Sequence, residues 1–180
     1  SWDMEGDRRN FGLSKCKGEW ILEVDADEHV SPKLFDEIRN VIQTSQPGYF
    51  LIPFDNYIGR KRIRYGWGAS WGVSAAPRLS HRGCKIWNRN QRIHPSLELK
   101  GHKYWLKNRI VHYVDDNIND MFKRLIRYTD EKAIDLLNEK KKIPPFWITL
   151  RRGLTRFFKW YVSRKGYKEG KRGFLISIEG

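Results

Sequence analysis

Gly18-Glu19-Trp20-Ile21-Leu22-Glu23-Val24-Asp25-Ala26-Asp27-Glu28 is the stretch that decides how this chain is read. Trp20 to Val24 is a short, mostly apolar run, of the length and residue type that make a buried strand. It gives way at once to the acids Asp25, Asp27 and Glu28. Ser31-Pro32 then supplies a helix entrance, with Ser as N-cap and Pro at the first helical position. Leu34, Ile38, Val41 and Ile42 keep one face of that helix apolar. On the amino-terminal side, residues 7 to 16 set Phe11, Leu13 and Cys16 in a polar background, and Gly18 follows where a helix would stop. Helix, strand, acidic turn and helix in that order form a piece of an α/β sheet.

Further along, Tyr49-Phe50-Leu51-Ile52-Pro53-Phe54 is a second strand candidate, with Pro53 near its end. Short β-like pieces follow among Gly and charged residues: Arg78-Leu79-Ser80, Lys85-Ile86-Trp87, Leu97-Glu98-Leu99 and Ile110-Val111-His112-Tyr113. Residues 119 to 139 return to helical spacing through Phe122, Leu125, Ile126, Ala133, Leu136 and Leu137. The expected organisation is a catalytic α/β domain over 1–115 and a helical, basic region over 116–180. There is no internal repeat and no low-complexity segment.

Composition narrows the classes. With 39% hydrophobic and 14% aromatic residues, the 180-residue chain can bury a core, which excludes global disorder. Eight Trp, eight Tyr and nine Phe suit carbohydrate or membrane-interface contacts, and equally an aromatic core. Cys16 and Cys84 lie far apart with no CxxC spacing, which argues against a disulfide scaffold or zinc site and fits a reducing, cytoplasmic compartment. No run of about 18 apolar residues could span a bilayer. The net charge of +14 is concentrated in residues 140 to 172, where twelve Lys or Arg meet the single acid Glu169. Such a segment points to an anionic partner.

The chemistry-bearing pair is Asp25 and Asp27. In open α/β sheets ligands bind at the carboxyl edge of the strands, where this pair falls. Two carboxylates one residue apart in a turn can reach one hard cation and leave positions for phosphate oxygens. A metal so held neutralises charge on a departing nucleoside diphosphate. Ordinary loop acids make the same short pattern.

Arg9-Asn10, Gly12-Leu13, Gly18-Glu19-Trp20 and Val24-Asp25-Ala26-Asp27-Glu28 together resemble the centre of the family 2 glycosyltransferases. Pro77-Arg78-Leu79, Arg92-Ile93-His94, Leu97-Glu98-Leu99 and Ile110-Val111-His112-Tyr113 extend the likeness toward the lipopolysaccharide-core β-glucosyltransferase subgroup. The resemblance implies a GT-A fold, a Rossmann-like sheet. It implies transfer of a sugar, with inversion, from a nucleotide-sugar donor to a glycan or lipid-linked acceptor. Asp25 and Asp27 would bind the donor's ribose–diphosphate and a divalent metal, Mn²⁺ or Mg²⁺. Arg9 and Asn10 would lie near the nucleotide or support its loop. His112 would be a further metal ligand, although a hydrogen-bonded His closing a strand reads the same way; for His94 the structural role comes first.

Two features depart from the family pattern. Relatives often have V-H-E where this chain has Ile93-His94-Pro95, so the general base expected there is replaced by proline. Glu98, three residues on, is the nearest carboxylate and the candidate base. The family also begins with a βαβ half that holds the nucleotide base, and nothing here corresponds to it. The expectation is therefore an N-terminally truncated piece, and both ends look cut.

The tail has its own pattern. Trp147, Leu150, Leu154, Phe157, Phe158 and Tyr161 fall on one helical stripe, with Arg152, Arg156 and Lys159 opposite. This suits a helix lying on an anionic membrane at the inner face of the cell membrane, or one packed on the domain with its cations in water. Two other functions fit parts of the sequence: a nucleic-acid-binding module for the basic tail, and a metal-dependent phosphohydrolase for the acids. The first lacks a recognition motif, and the second lacks further ligands near Glu28.

Overall fold

The computed structural model describes residues 4–66, 75–88, 96–138 and 144–179. Helix α1 (Glu5–Lys15) leads to strand β1 (Trp20–Leu22), the two-residue β2 (Glu28–His29) and helix α2 (Pro32–Thr44). Strands β3 (Gly48–Ile58), β4 (Lys61–Arg62), β5 (Ala75–His81), β6 (Lys85–Trp87), β7 (Leu97–Leu99), β8 (His102–Trp105) and β9 (Ile110–Asp115) follow. Helices α3 (Ile118–Asn138), α4 (Phe146–Phe158) and α5 (Lys171–Glu179) complete the chain, with a π-helical turn at Lys159–Ser163 and a 3-10 turn at Gly166–Glu169. This is a mixed α/β fold, as the opening helix–strand–helix pattern requires.

The chain forms two compact units: Ser1–Phe54 with Ala75–Ile110, and Asp55–Ser74 with Val111–Gly180. In the first, β5 lies antiparallel between β1 and β3, and β8 adds to β3 in parallel. The parallel pair approaches so closely that a Cβ on Gly48 would lie 2.1 Å from the His102 carbonyl oxygen, so glycine is required there. Leu34 and Ile38 of α2 pack against Phe50, Ile52, Leu79, Leu106 and Ile110. Trp20 and Tyr104 extend this core by ring contacts with Phe50 at 5.5 and 4.7 Å. The capping signal read from Ser31-Pro32 operates: the Leu34 N–H donates to the Ser31 hydroxyl at 3.3 Å. Glu37 then fixes the helix to the turn before β9, accepting the Lys107 and Asn108 N–H groups at 2.7 and 2.8 Å.

Pro53 does not end its strand. It sits opposite Ala75, and β3 runs on to pair Tyr57 and Ile58 with Arg62 and Lys61 of β4. A proline without an N–H is tolerated where the chain changes partners. Strand β8 escapes the sequence reading because His102-Lys103-Tyr104-Trp105 is polar and mostly exposed.

In the second unit Ile58, Ile63, Met121 and Ile176 form a core, with Val114 and Trp160 packed on it. Arg124 of α3 pairs with Asp115 at the end of β9 at 2.7 Å. The buried Glu169 carboxylate accepts the Arg64 and Tyr65 N–H groups at 2.8 and 3.1 Å and pairs with Lys61 at 3.1 Å. Burial pushes its pKa up, but those two N–H groups and Lys61 outweigh burial and hold it below the usual carboxylate range. The stability this supplies is present above the pKa of the unfolded chain and is lost as pH falls through the folded value. Glu169→Gln is expected to cost about 1.5–3 kcal/mol near neutrality. It should also flatten the acid limb of the stability curve, read by urea melts across the acid range.

Candidate active site

The acidic turn after β1 is built by two reciprocal hydrogen bonds. The Asp25 N–H donates to the Glu28 carboxylate at 3.1 Å, and the Glu28 N–H donates to the Asp25 carbonyl at 3.0 Å. Arg78 reaches this turn from β5, the antiparallel neighbour of β1. The backbone sets it there, because the Glu23 N–H donates to the Arg78 carbonyl at 2.8 Å. Its Nη2 donates both to Asp25 Oδ2 at 2.5 Å and to the buried Glu28. Burial works to lower the Arg78 pKa, but Glu28 and then Asp25 overcome it and raise it. Arg78 Nε is buried without a hydrogen-bond partner among the described residues.

Helix α1 approaches the same turn. Asn10 Nδ2 donates to the Trp87 carbonyl at 2.8 Å, and its Oδ1 accepts the Trp87 N–H at 2.9 Å, which pins α1 to β6. Asn10 is therefore a support of the site in this structure. Arg9, one residue earlier, lies over the Trp87 ring at 4.7 Å, pairs with Glu5 at 2.7 Å and stands 3.5 Å from Asp25 Oδ1. Below them Lys85 of β6 is buried against Glu23, donates to the Pro77 carbonyl at 2.7 Å and lies 4.8 Å from the Trp87 ring centre. Glu23 also accepts the Trp87 indole N–H at 3.1 Å. Burial lowers the Lys85 pKa, with Glu23 opposing it.

Of the residues singled out from sequence, Arg9, Asn10 and Asp25 thus come together, and Asp27 follows in the same turn with its side chain exposed. Glu98 is on β7, opposite Ile86 of β6, with its side chain 61% exposed and paired to Lys100 at 3.1 Å. His112 belongs to the other unit, where Nδ1 meets Asn56 Oδ1 at 2.9 Å. Arg92, Ile93, His94 and Pro95 lie outside the described residues. Sequence reasoning gave no role to Arg78, Lys85 or Glu23. The available signal was a charge inside a short β-like run, at Arg78 and at Lys85, where only a paired ion is tolerated.

Among the described residues no three His, Cys, Asp or Glu side chains gather into a metal site. The two hard carboxylates Asp25 and Asp27 fit the other mode, in which Mg²⁺ or Mn²⁺ takes one or two protein oxygens and completes its shell with water and substrate phosphate. A cation at Asp25 would share that carboxylate with the Arg78 and Arg9 guanidinium groups.

No family model matches the chain. It is similar to a protein of Rickettsia conorii named an uncharacterized glycosyltransferase, at 25% identity over 190 residues, covering 95% of this chain and 63% of that protein. A Rickettsia felis protein of the same name gives the same identity and coverage. One from Rickettsia prowazekii, again named an uncharacterized glycosyltransferase, is 25% identical over 186 residues, covering 95% of this chain and 61% of its own length. The chain spans less than two-thirds of the curated relatives it matches.

The ion bridge at Arg78 makes a specific demand on stability. Arg78→Ala leaves Glu28 charged and buried without its cation, and should cost about 3–5 kcal/mol in a denaturant melt. Arg78→Ala combined with Glu28→Gln should recover part of that loss, as a double-mutant cycle would measure.

Proposed function

We propose that this chain is the catalytic part of an inverting, metal-dependent glycosyltransferase with a GT-A fold. It would move a sugar from a nucleotide-sugar donor to a glycan or lipid-linked acceptor in cell-envelope polysaccharide or lipopolysaccharide synthesis. The observation that carries this reading is the similarity along 95% of the chain to proteins named glycosyltransferases. The acidic turn after β1 supports it, because paired acids and cations there suit a metal–diphosphate ligand.

In this reading Asp25 and Asp27 would hold the divalent metal and the donor's ribose–diphosphate. The bound metal supplies charge neutralisation for the departing nucleoside diphosphate. Arg9 and Arg78, which rest on Asp25, are the cations at hand for phosphate oxygens once that carboxylate is shared. Asn10 orients α1, so that Arg9 is presented rather than left to wander. The acceptor hydroxyl needs a general base, and Glu98 is the residue assigned to it.

Two substitutions in the intact protein test the roles. Asp27→Ala should remove Mn²⁺-dependent binding of nucleoside diphosphates, read by calorimetry with UDP, GDP and CDP, while the melt stays unchanged because the side chain is exposed. Unchanged Mn²⁺–diphosphate affinity would overturn the metal assignment. Glu98→Gln is nearly isosteric and should lower the transfer rate by roughly 10²–10⁴-fold if Glu98 takes the proton. A variant within a few-fold of the parent would overturn Glu98 as the base.

A further inference from the structure

Helix α4 is a 13-residue helix with no buried residue, although it is rich in aromatic and aliphatic side chains. Its stripe divides in two. Phe157 and the following Tyr161 stack on each other at 5.3 Å, and both meet Phe174 of α5 edge-on at 5.8 and 5.7 Å. That is how α4 is held. The neighbouring stripe faces water: Trp147 is 74% exposed, Leu154 52%, Phe158 58% and Val162 52%. These residues recur at spacings of seven, four and four, so they form one continuous apolar line along the helix and into its π-helical turn. Phe174, Leu175 and Ile178 of α5 are exposed as well.

The charge around this line has one sign. Residues 144–179 contain nine Lys or Arg and two acids, and one of those acids, Glu169, is buried in its own hydrogen bonds. Arg151, Arg152, Lys159, Lys165, Lys168, Lys171 and Arg172 are exposed. No helix among the described residues is long and apolar enough to cross a membrane.

We infer that the face formed by Trp147, Leu154, Phe158 and Val162 docks on the surface of an anionic lipid bilayer, lying in the headgroup region with the flanking cations on acidic headgroups. Trp and Phe fit that boundary, and long Lys and Arg side chains can bury their stems while keeping the charge in water. Three features of the face select this occupant. A second copy would set two strongly basic surfaces against each other. Single-stranded nucleic acid would use the cations and the flat rings but has no need of the aliphatic Leu154 and Val162. An acidic bilayer satisfies the ring, the aliphatic and the cationic members together. The inference does not depend on the reaction assigned above, since it rests on a different surface and a different ligand.

Co-sedimentation of the intact protein with vesicles tests it, using one part phosphatidylglycerol to two of phosphatidylcholine, against phosphatidylcholine alone. The protein should pellet with the acidic vesicles, and about 0.5 M salt should weaken that binding. Replacing Trp147, Leu154 and Phe158 together by Ser should abolish binding and leave the melting temperature unchanged. Reversing Arg151, Arg152 and Lys159 to Glu should weaken binding by roughly 10²-fold. Phe157→Ser is the packing control, and should lower the melting temperature by several degrees. Wild-type protein that ignores acidic vesicles overturns the inference. So does a triple-Ser variant that melts early, because the stripe would then be packed. A dimer in size exclusion that the triple-Ser change dissociates would overturn it too, as would RNA binding that competes fully with the vesicles.

Discussion

The buried guanidinium of Arg78 is the interaction on which the first unit depends. Two acids three residues apart, Asp25 and Glu28, turn their carboxylates toward one point, and Glu28 is out of water. Without a cation between them the turn would hold like charges together in a poorly solvated place, and it would open. The cation arrives through backbone pairing rather than by chance of side-chain reach. Leu22 of β1 registers with Leu79 of β5, and the Glu23 N–H closes on the Arg78 carbonyl just beyond. The sheet therefore fixes the turn, and the turn fixes where the exposed Asp27 can point.

Around that bridge the charges alternate in sign with little slack. Arg9 shares Asp25 with Arg78, Arg8 and Arg9 share Glu5, and Lys85 answers Glu23. Trp87 joins these pairs: its ring carries Arg9 and Lys85, its N–H and carbonyl hold Asn10, and its indole N–H reaches Glu23. A metal at Asp25 would meet a carboxylate already held by two guanidinium groups, which could turn to phosphate oxygens if that carboxylate were shared.

Much of this was legible in the residues, and the limits have physical causes. Ser31-Pro32, Lys85–Trp87 and Leu97–Leu99 were readable because each combines a local pattern with a local boundary, and of the Trp20–Val24 run the strand keeps Trp20–Leu22 while Val24 is exposed. Strand β8 was not, because it is held by parallel pairing with Gly48–Leu51, far away in sequence, rather than by an apolar face of its own. The run of β3 past Pro53 was missed for a related reason, since a proline ends a strand only where its missing N–H is needed. Asp25 could be picked out as an acid after a strand. Its partner could not, because Arg78 lies 53 positions further along the chain and is brought to Asp25 by the pairing of β5 with β1.

The tail shows the same limit from another side. A helical wheel places Trp147, Leu150, Leu154, Phe157, Phe158 and Tyr161 on one apolar sector, and periodicity cannot say how wide the covered part of that sector is. One short helix can cover only about as much of a neighbour as its own side chains span, and α5 contributes a single ring, Phe174, to Phe157 and Tyr161. The width of α4's apolar sector exceeds what that ring can shield, so Trp147, Leu154 and Phe158 remain in water. Among the described residues that line is left uncovered, in a segment with nine cations and two acids, which is why its apolar and its charged members must be accounted for together.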